Sequence, residues 1–345
     1  MKKILYIMFT VSLLAASCTK EVLVSRDHDI DAEVLDMQTK MEMTTLYCNL
    51  NEADNLDLQK LGEYLTEKSA DVAMFVAPVS VNGVDFKAWL DAYAAENGAL
   101  SVLEARNNNG VLTMAALVNS ELSTETFRVV QGAVLNNAVL HFKANGIHFV
   151  VTELLPAKNA IPSDWEDQVA AMESSKKSVP LVYDPDNLET RKSELQSILK
   201  QTVDNASNAK EKHWVLAINM NAESELDITK YNREFLRADY YDDVTEDFLA
   251  KETLYFSVSE TLDANDPYFG ANKLMLYYNL VDCNSVHHSV YTPSSVGGVD
   301  GLRVNFLYAT DECWNLFRTF DFDTVQSAEL GVTHYPIIVT LKSEE

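Results

Sequence analysis

The stretch His213–Ala222, HWVLAINMNA, constrains the fold of this chain more than any other. Val215, Leu216, Ala217 and Ile218 form an unbroken apolar run, short enough for a strand buried on both faces. It ends in two amides, Asn219 and Asn221, which a side-chain period of two places on one side where the strand leaves its sheet. Ligand-facing residues of open α/β sheets sit at such strand ends.

Other runs of the same kind surround it. Met43–Leu50 and Ala70–Ala77 read as strands, the second stopped by Pro78. Between them Asp54 and Asn55 can cap a helix whose Leu58, Leu61 and Leu65 share a face. Phe86, Trp89, Leu90 and Tyr93 have helical spacing and read as core anchors, and Gly110–Val118 reads as a further strand. Ala138–Leu155 holds two apolar runs around Asn145-Gly146, a dipeptide that supplies the positive φ angles of a tight hairpin. Trp165–Lys177 and Glu189–Val203 read as helices, and Leu274–Val281, Arg303–Ala309 and Tyr335–Leu341 as strands. The pattern predicts an α/β fold in which two mixed sheets pack face to face with helices outside.

The amino terminus has a different character. Lys2 and Lys3 precede the apolar run Ile4–Leu14, and Ala15-Ala16-Ser17 leads to Cys18. That run is too short to span a bilayer as a stable helix. Small residues before a cysteine resemble a bacterial lipoprotein signal, which makes residues 1–17 the signal peptide and Cys18 the lipidated residue. Residues 18–40 are polar and acidic and read as a tether, leaving 41–345 as the folded domain. The expected location is the cell envelope, anchored at the outer membrane and facing the periplasm or the surface.

Composition narrows the partners. Lys and Arg number 27 against 52 Asp and Glu, a formal charge of −25. Such a balance argues against a nucleic-acid partner, whose affinity comes from basic residues displacing counterions. Cys48, Cys283 and Cys313 remain after Cys18, an odd number that excludes a disulfide scaffold. Cys48 lies within a strand and is expected to be a buried thiol. His287-His288 lacks the spacing of a helical zinc pair and reads as surface loop.

The order of strand ends resembles the endonuclease/exonuclease/phosphatase superfamily, the DNase I-like fold, from about Met43 to Leu341. That family opens on a strand ending in Asn, matched by Leu46-Tyr47-Cys48-Asn49. Its metal-binding Glu falls on Ala77, and its Thr-His-Leu strand end on Thr152-Glu153-Leu154. Its Gly-Asp-Phe-Asn motif falls on Ile218-Asn219-Met220-Asn221, and its Arg-Ile-Asp-Tyr strand on Arg303-Val304-Asn305-Phe306. The closing Ser-Asp-His-Tyr-Pro falls on Val332-Thr333-His334-Tyr335-Pro336.

The resemblance implies a four-layer sandwich with a degenerate site. In the family the Glu and the last Asp hold a divalent ion, another Asp orients the attacking water, and another holds the catalytic His. Ala77, Asn219, Asn305 and Thr333 are all neutral, and amide or hydroxyl oxygens bind Mg²⁺ poorly. Asn49, Glu153, Asn219, Asn221, Arg303, Asn305 and His334 are then a remnant pocket. No cofactor is expected, and the ligand of such a pseudoenzyme would be a glycan, a small molecule or a partner protein. The alternative is a divergent metal-dependent phosphoesterase in which Glu153 and Glu223 hold a displaced Mg²⁺ or other divalent ion. A purely structural component of a surface complex is a third class.

Overall fold

A computed structural model describes residues 42–155 apart from 52, 54, 133, 134 and 136, then 185–221, 270–287 and 303–342 apart from 325 and 326. Cys18, the tether, Glu223, His288, the acidic segment from Asp239 to Asp247 and the helix expected at Trp165–Lys177 lie outside these residues. None of the described helices is long and apolar enough to cross a membrane.

The opening stretch folds as a strand, β10 (Trp214–Asn219), with every residue buried. It pairs in parallel with β9 (Ile147–Glu153) and antiparallel with β12 (Asn305–Thr310). With β11 (Leu280–Asp282), β8 (Leu140–Ala144) and β7 (Thr124–Phe127) these make one mixed sheet, ordered β11-β12-β10-β9-β8-β7. The other sheet is built alike, around the parallel pair β1 (Glu42–Asn49) and β2 (Val72–Val76). Its order is β13-β14-β1-β2-β6-β5, where β5 is Leu100–Arg106, β6 Leu112–Asn119, β13 Phe317–Phe322 and β14 Ile337–Lys342, while β3 (Ser80–Val81) and β4 (Val84–Asp85) pair only with each other.

Alternation along the strands explains the layers. Odd residues of β1, such as Tyr47, meet Val151, Ala217 and Leu307 of the other sheet in one core. Even residues, such as Leu46 and Cys48, pack outward under helices α1 (Leu58–Lys68) and α2 (Phe86–Asn97). The second sheet turns Val150, Leu216, Phe306 and Tyr308 toward α3 (Pro185–Gln201) and α4 (Gly270–Tyr277). Helix, sheet, sheet and helix therefore stack as expected from the strand pattern.

Local chemistry sets the turns. Asn145 and Gly146 adopt φ of 46° and 83°, and the β8–β9 hairpin closes through them. Asp57, rather than Asp54 or Asn55, caps α1, accepting from the backbone N–H of Gln59 and Lys60. Leu274–Val281 is not a strand: Gly270–Tyr277 is helical, Asn279 turns the chain at φ 57°, and only Leu280–Asp282 pairs. Its Leu, Met and Tyr residues suit either state, and packing against α3 decides for the helix. Strands β5, β7 and β13 carry Ser, Thr, Glu, Arg and Asp at outward positions, so they lacked the apolar run that marks a buried strand. His287 ends a short helix, Cys283–His287, rather than lying in a loop.

Candidate functional site

The ends of β1, β9, β10 and the start of β12 meet at one end of the sandwich, with their last inward-facing residues polar. Asn49 and Asn219 are built by the same local device. In each, the side-chain Oδ1 accepts the backbone N–H two residues on, from Asn51 at 3.1 Å and from Asn221 at 3.1 Å. An amide whose oxygen is tied to the backbone turns its Nδ2 the other way, here toward the centre.

Those donors find oxygens. Asn49 Nδ2 donates to Asn305 Oδ1 at 3.0 Å, an oxygen that also accepts from the Tyr47 hydroxyl at 3.3 Å. Asn219 Nδ2 donates to Glu153 Oε1 at 2.9 Å. Glu153 Oε2 accepts from Asn51 Nδ2 at 3.0 Å and from Asn137 Nδ2 at 3.4 Å. Asn49, Glu153, Asn219 and Asn305 are all buried. Burial first, then the Glu153 charge and Cys48, push the Tyr47 phenol well above its usual range, so it remains a donor.

The remaining sequence-derived positions do not join this group in the same way. Asn221 sits at φ 47° and sends its Nδ2 to the Leu154 carbonyl at 2.8 Å, because β10 ends at Asn219 and the period of two ends with it. Arg303 is turned to the other side of its sheet. Its guanidinium forks onto the Asp282 carboxylate, with Nη1 2.8 Å from Oδ1 and Nη2 2.5 Å from Oδ2, and lies 4.2 Å over the Phe306 ring. Both charges are buried, and removing one partner of such a pair costs about 3–5 kcal/mol. Ala77 packs in the outward cluster with Cys48, Leu50 and Phe75. Thr333 is exposed, while His334 is buried in the segment that enters β14 alongside the end of β1.

Several supporting residues had no signal in the sequence. Asn51 and Asn137 come from loops. Arg191 and Glu194 of α3 fasten the ends of β10 and β9, Arg191 donating to the Asn221 carbonyl at 2.9 Å and Glu194 accepting from Leu155 N–H at 2.9 Å.

A divalent ion does not fit these residues. It requires several oxygen lone pairs, and the centre instead presents amide N–H groups to one carboxylate. Among the described residues no three His, Cys, Asp or Glu side chains gather where they could hold a metal.

No protein-family model and no curated protein matches the sequence. Solved structures do. An AP endonuclease from Archaeoglobus fulgidus is 12% identical, with 87% of this chain and 99% of that one covered at a TM-score of 0.54. The 3'-5' exonuclease NExo from Neisseria meningitidis is 13% identical, covering 88% and 100% at 0.51. The AP endonuclease LMAP from Leishmania major is 11% identical, covering 88% of each chain at 0.50.

Proposed function

We propose that this chain, which has a DNase I-like fold, uses it as a non-catalytic binding or accessory module held to the cell envelope through a lipidated Cys18. One observation carries the reading: both Glu153 oxygens accept from amide donors, and the backbone fixes the orientation of one of them, Asn219, through Asn221 N–H. In the superfamily pattern the position of Asn219 belongs to an Asp. An amide there satisfies Glu153 without a cation, and a carboxylate would not. Hydrolysis of a phosphoester by a metal-dependent route needs charge neutralisation that this donor-rich centre does not offer.

The second reading is a divergent phosphoesterase. Its support is the convergence of Asn49, Glu153, Asn219 and Asn305 at one end of the sandwich, together with the nuclease activities named for the similar structures. The net charge of −25 still weighs against nucleic acid as its substrate.

Assaying the purified protein against a panel of phosphoesters with Mg²⁺, Mn²⁺, Ca²⁺ and Zn²⁺ separates the two. The binding-module reading expects no metal-dependent turnover and no saturable Mg²⁺ binding at millimolar concentration. Chelator-sensitive turnover that Glu153→Gln abolishes would overturn it.

A further inference from the structure

A second polar constellation, which shares no side chain with the Glu153 group, lies on a cleft of about 460 Å³ between the outer strands β5 and β7. That volume suits a small organic ligand. His141 lines it, and behind His141 stands a chain of ring and carboxylate contacts. His141 Nε2 is 3.0 Å from His148 Nδ1, and His148 Nε2 lies 3.3 Å from Glu211, somewhat off the ideal hydrogen-bond line. Lys143 holds the same carboxylate at 2.7 Å. Trp214 stacks on His148 at 4.1 Å and Phe127 on His141 at 4.5 Å, fixing both rings.

This order favours one pair of tautomers. A carboxylate favours the N–H on His148 Nε2, which leaves Nδ1 to accept from His141 Nε2–H. His141 Nδ1 is then a lone pair on a cleft-lining ring. Burial first, then His148, depresses the His141 pKa to about 3, so the ring is neutral and works as an acceptor, too weak a base for proton abstraction.

The rest of the lining is complementary. Gln131 Nε2 is buried and has no hydrogen-bond partner among the described residues, a donor awaiting an oxygen. Arg128 is exposed at the rim with no ion pair among the described residues, whereas Glu104 is already held by Arg106 at 2.9 Å and approached by Lys87 at 3.6 Å. Val102 and Val129 supply apolar walls. We propose that this cleft binds a hydroxylated carboxylate the size of a sugar acid. A ligand hydroxyl donates to His141 Nδ1, a ligand oxygen accepts from Gln131 Nε2, and the ligand carboxylate pairs with Arg128. The proposal does not depend on how the Glu153 end is read.

Titration calorimetry of the full chain with glucuronate, glucose and hexanoate tests it. Glucuronate should bind saturably with one site, and Arg128→Ala and Gln131→Leu should each weaken it about tenfold or more. The ¹⁵N resonance of His141 Nδ1 should move on binding, and glucose and hexanoate should bind more weakly than glucuronate. Absence of saturable glucuronate binding, or binding unchanged in both variants, would overturn the proposal. So would hexanoate binding as well as glucuronate, or a loss of glucuronate affinity in Glu153→Gln equal to that in Arg128→Ala.

Discussion

Asn219 and Glu153 are direct register partners across the parallel β9–β10 pair, and their side chains meet at 2.9 Å as amide donor and carboxylate acceptor. The pairing gives Asn219 a definite structural role. Its Oδ1 is tied to Asn221 N–H, so the residue can offer Glu153 only a donor. Asn51 and Asn137 donate to the other oxygen of the same carboxylate.

Replacing that donor by an acceptor is therefore expected to be costly. Asn219→Asp removes a hydrogen bond to a charged group and sets two carboxylates within contact of one another in a buried site. The expected loss is about 2–4 kcal/mol at pH 7, read as a lower midpoint in urea. Part of it should return as the pH falls and the two carboxylates share a proton. Recovery at pH 7 on adding Mg²⁺ would instead mean that the site is one substitution from holding a metal. An unchanged midpoint would show that the Asn219–Glu153 bond does not hold the strand ends.

Glu153→Gln probes the same shell from the other side. The new amide must turn its NH₂ toward one of the donors that Glu153 now accepts, leaving at least one of them unpartnered. A loss of about 1–3 kcal/mol is expected from such a mismatch. A variant as stable as the parent would place Glu153 in solvent rather than in an amide shell.

Gly331 supports the segment that carries Thr333 and His334. It adopts φ +71°, and a Cβ built there would fall 2.0 Å from the Asn55 carbonyl oxygen. Leu330, just before it, accepts from Asp57 N–H at 3.1 Å, so both sides of this contact are anchored. Gly331→Ala should destabilise by more than 2 kcal/mol, about twice the cost of positive φ alone. Gly110→Ala is the control: φ is +76° but nothing lies within 4 Å. Equal thermal midpoints for the two variants would contradict the close approach.

The layers were legible in the sequence because strands buried on both faces write continuous apolar runs, as in Val215–Ile218 and Val72–Val76. The β8–β9 turn was legible because Asn-Gly has a specific backbone consequence. Edge strands are half-solvated, and β5 and β7 left no comparable trace. At the site, Asn219 could be found because it ends a buried apolar run, and Asn49 and Asn305 because the order of superfamily motifs falls on them. Their partners Asn51 and Asn137 sit in loops, where an Asn has many other reasons to occur. Arg303 looked like a pocket residue by order alone. Its partner Asp282 is 21 positions away, and nothing local announces a buried ion pair on the far side of the sheet.

The proposed lipid anchor rests on Ala15-Ala16-Ser17 ahead of Cys18. The parent should partition with membranes, and Cys18→Ala should be soluble or unprocessed. A mature amino terminus elsewhere, with no lipid mass on Cys18, would refute the anchor.

The paired histidines predict how the fold fails in acid. His141 is held near pKa 3 by burial and then by His148; His148 is itself lowered by burial and Lys143, against the opposing charges of Glu211 and Glu125. An unfolded chain protonates both rings near pH 6.5. Between the two values the unfolded state binds more protons, so stability falls as the pH drops below about 6.5 and stops falling, for His141, near its folded pKa. The slope is at most about 1.4 kcal/mol per pH unit for each ring. Trp214 stacks on His148 and Phe127 on His141, so both rings are held in place. His141→Phe removes one titrating ring while keeping its volume. Its urea midpoint should be lower than the parent's at pH 7.5, because His148 Nδ1 loses its donor, yet should change less between pH 6.5 and 4. Parallel pH profiles for the parent and His141→Phe would show that His141 is not held neutral in the fold.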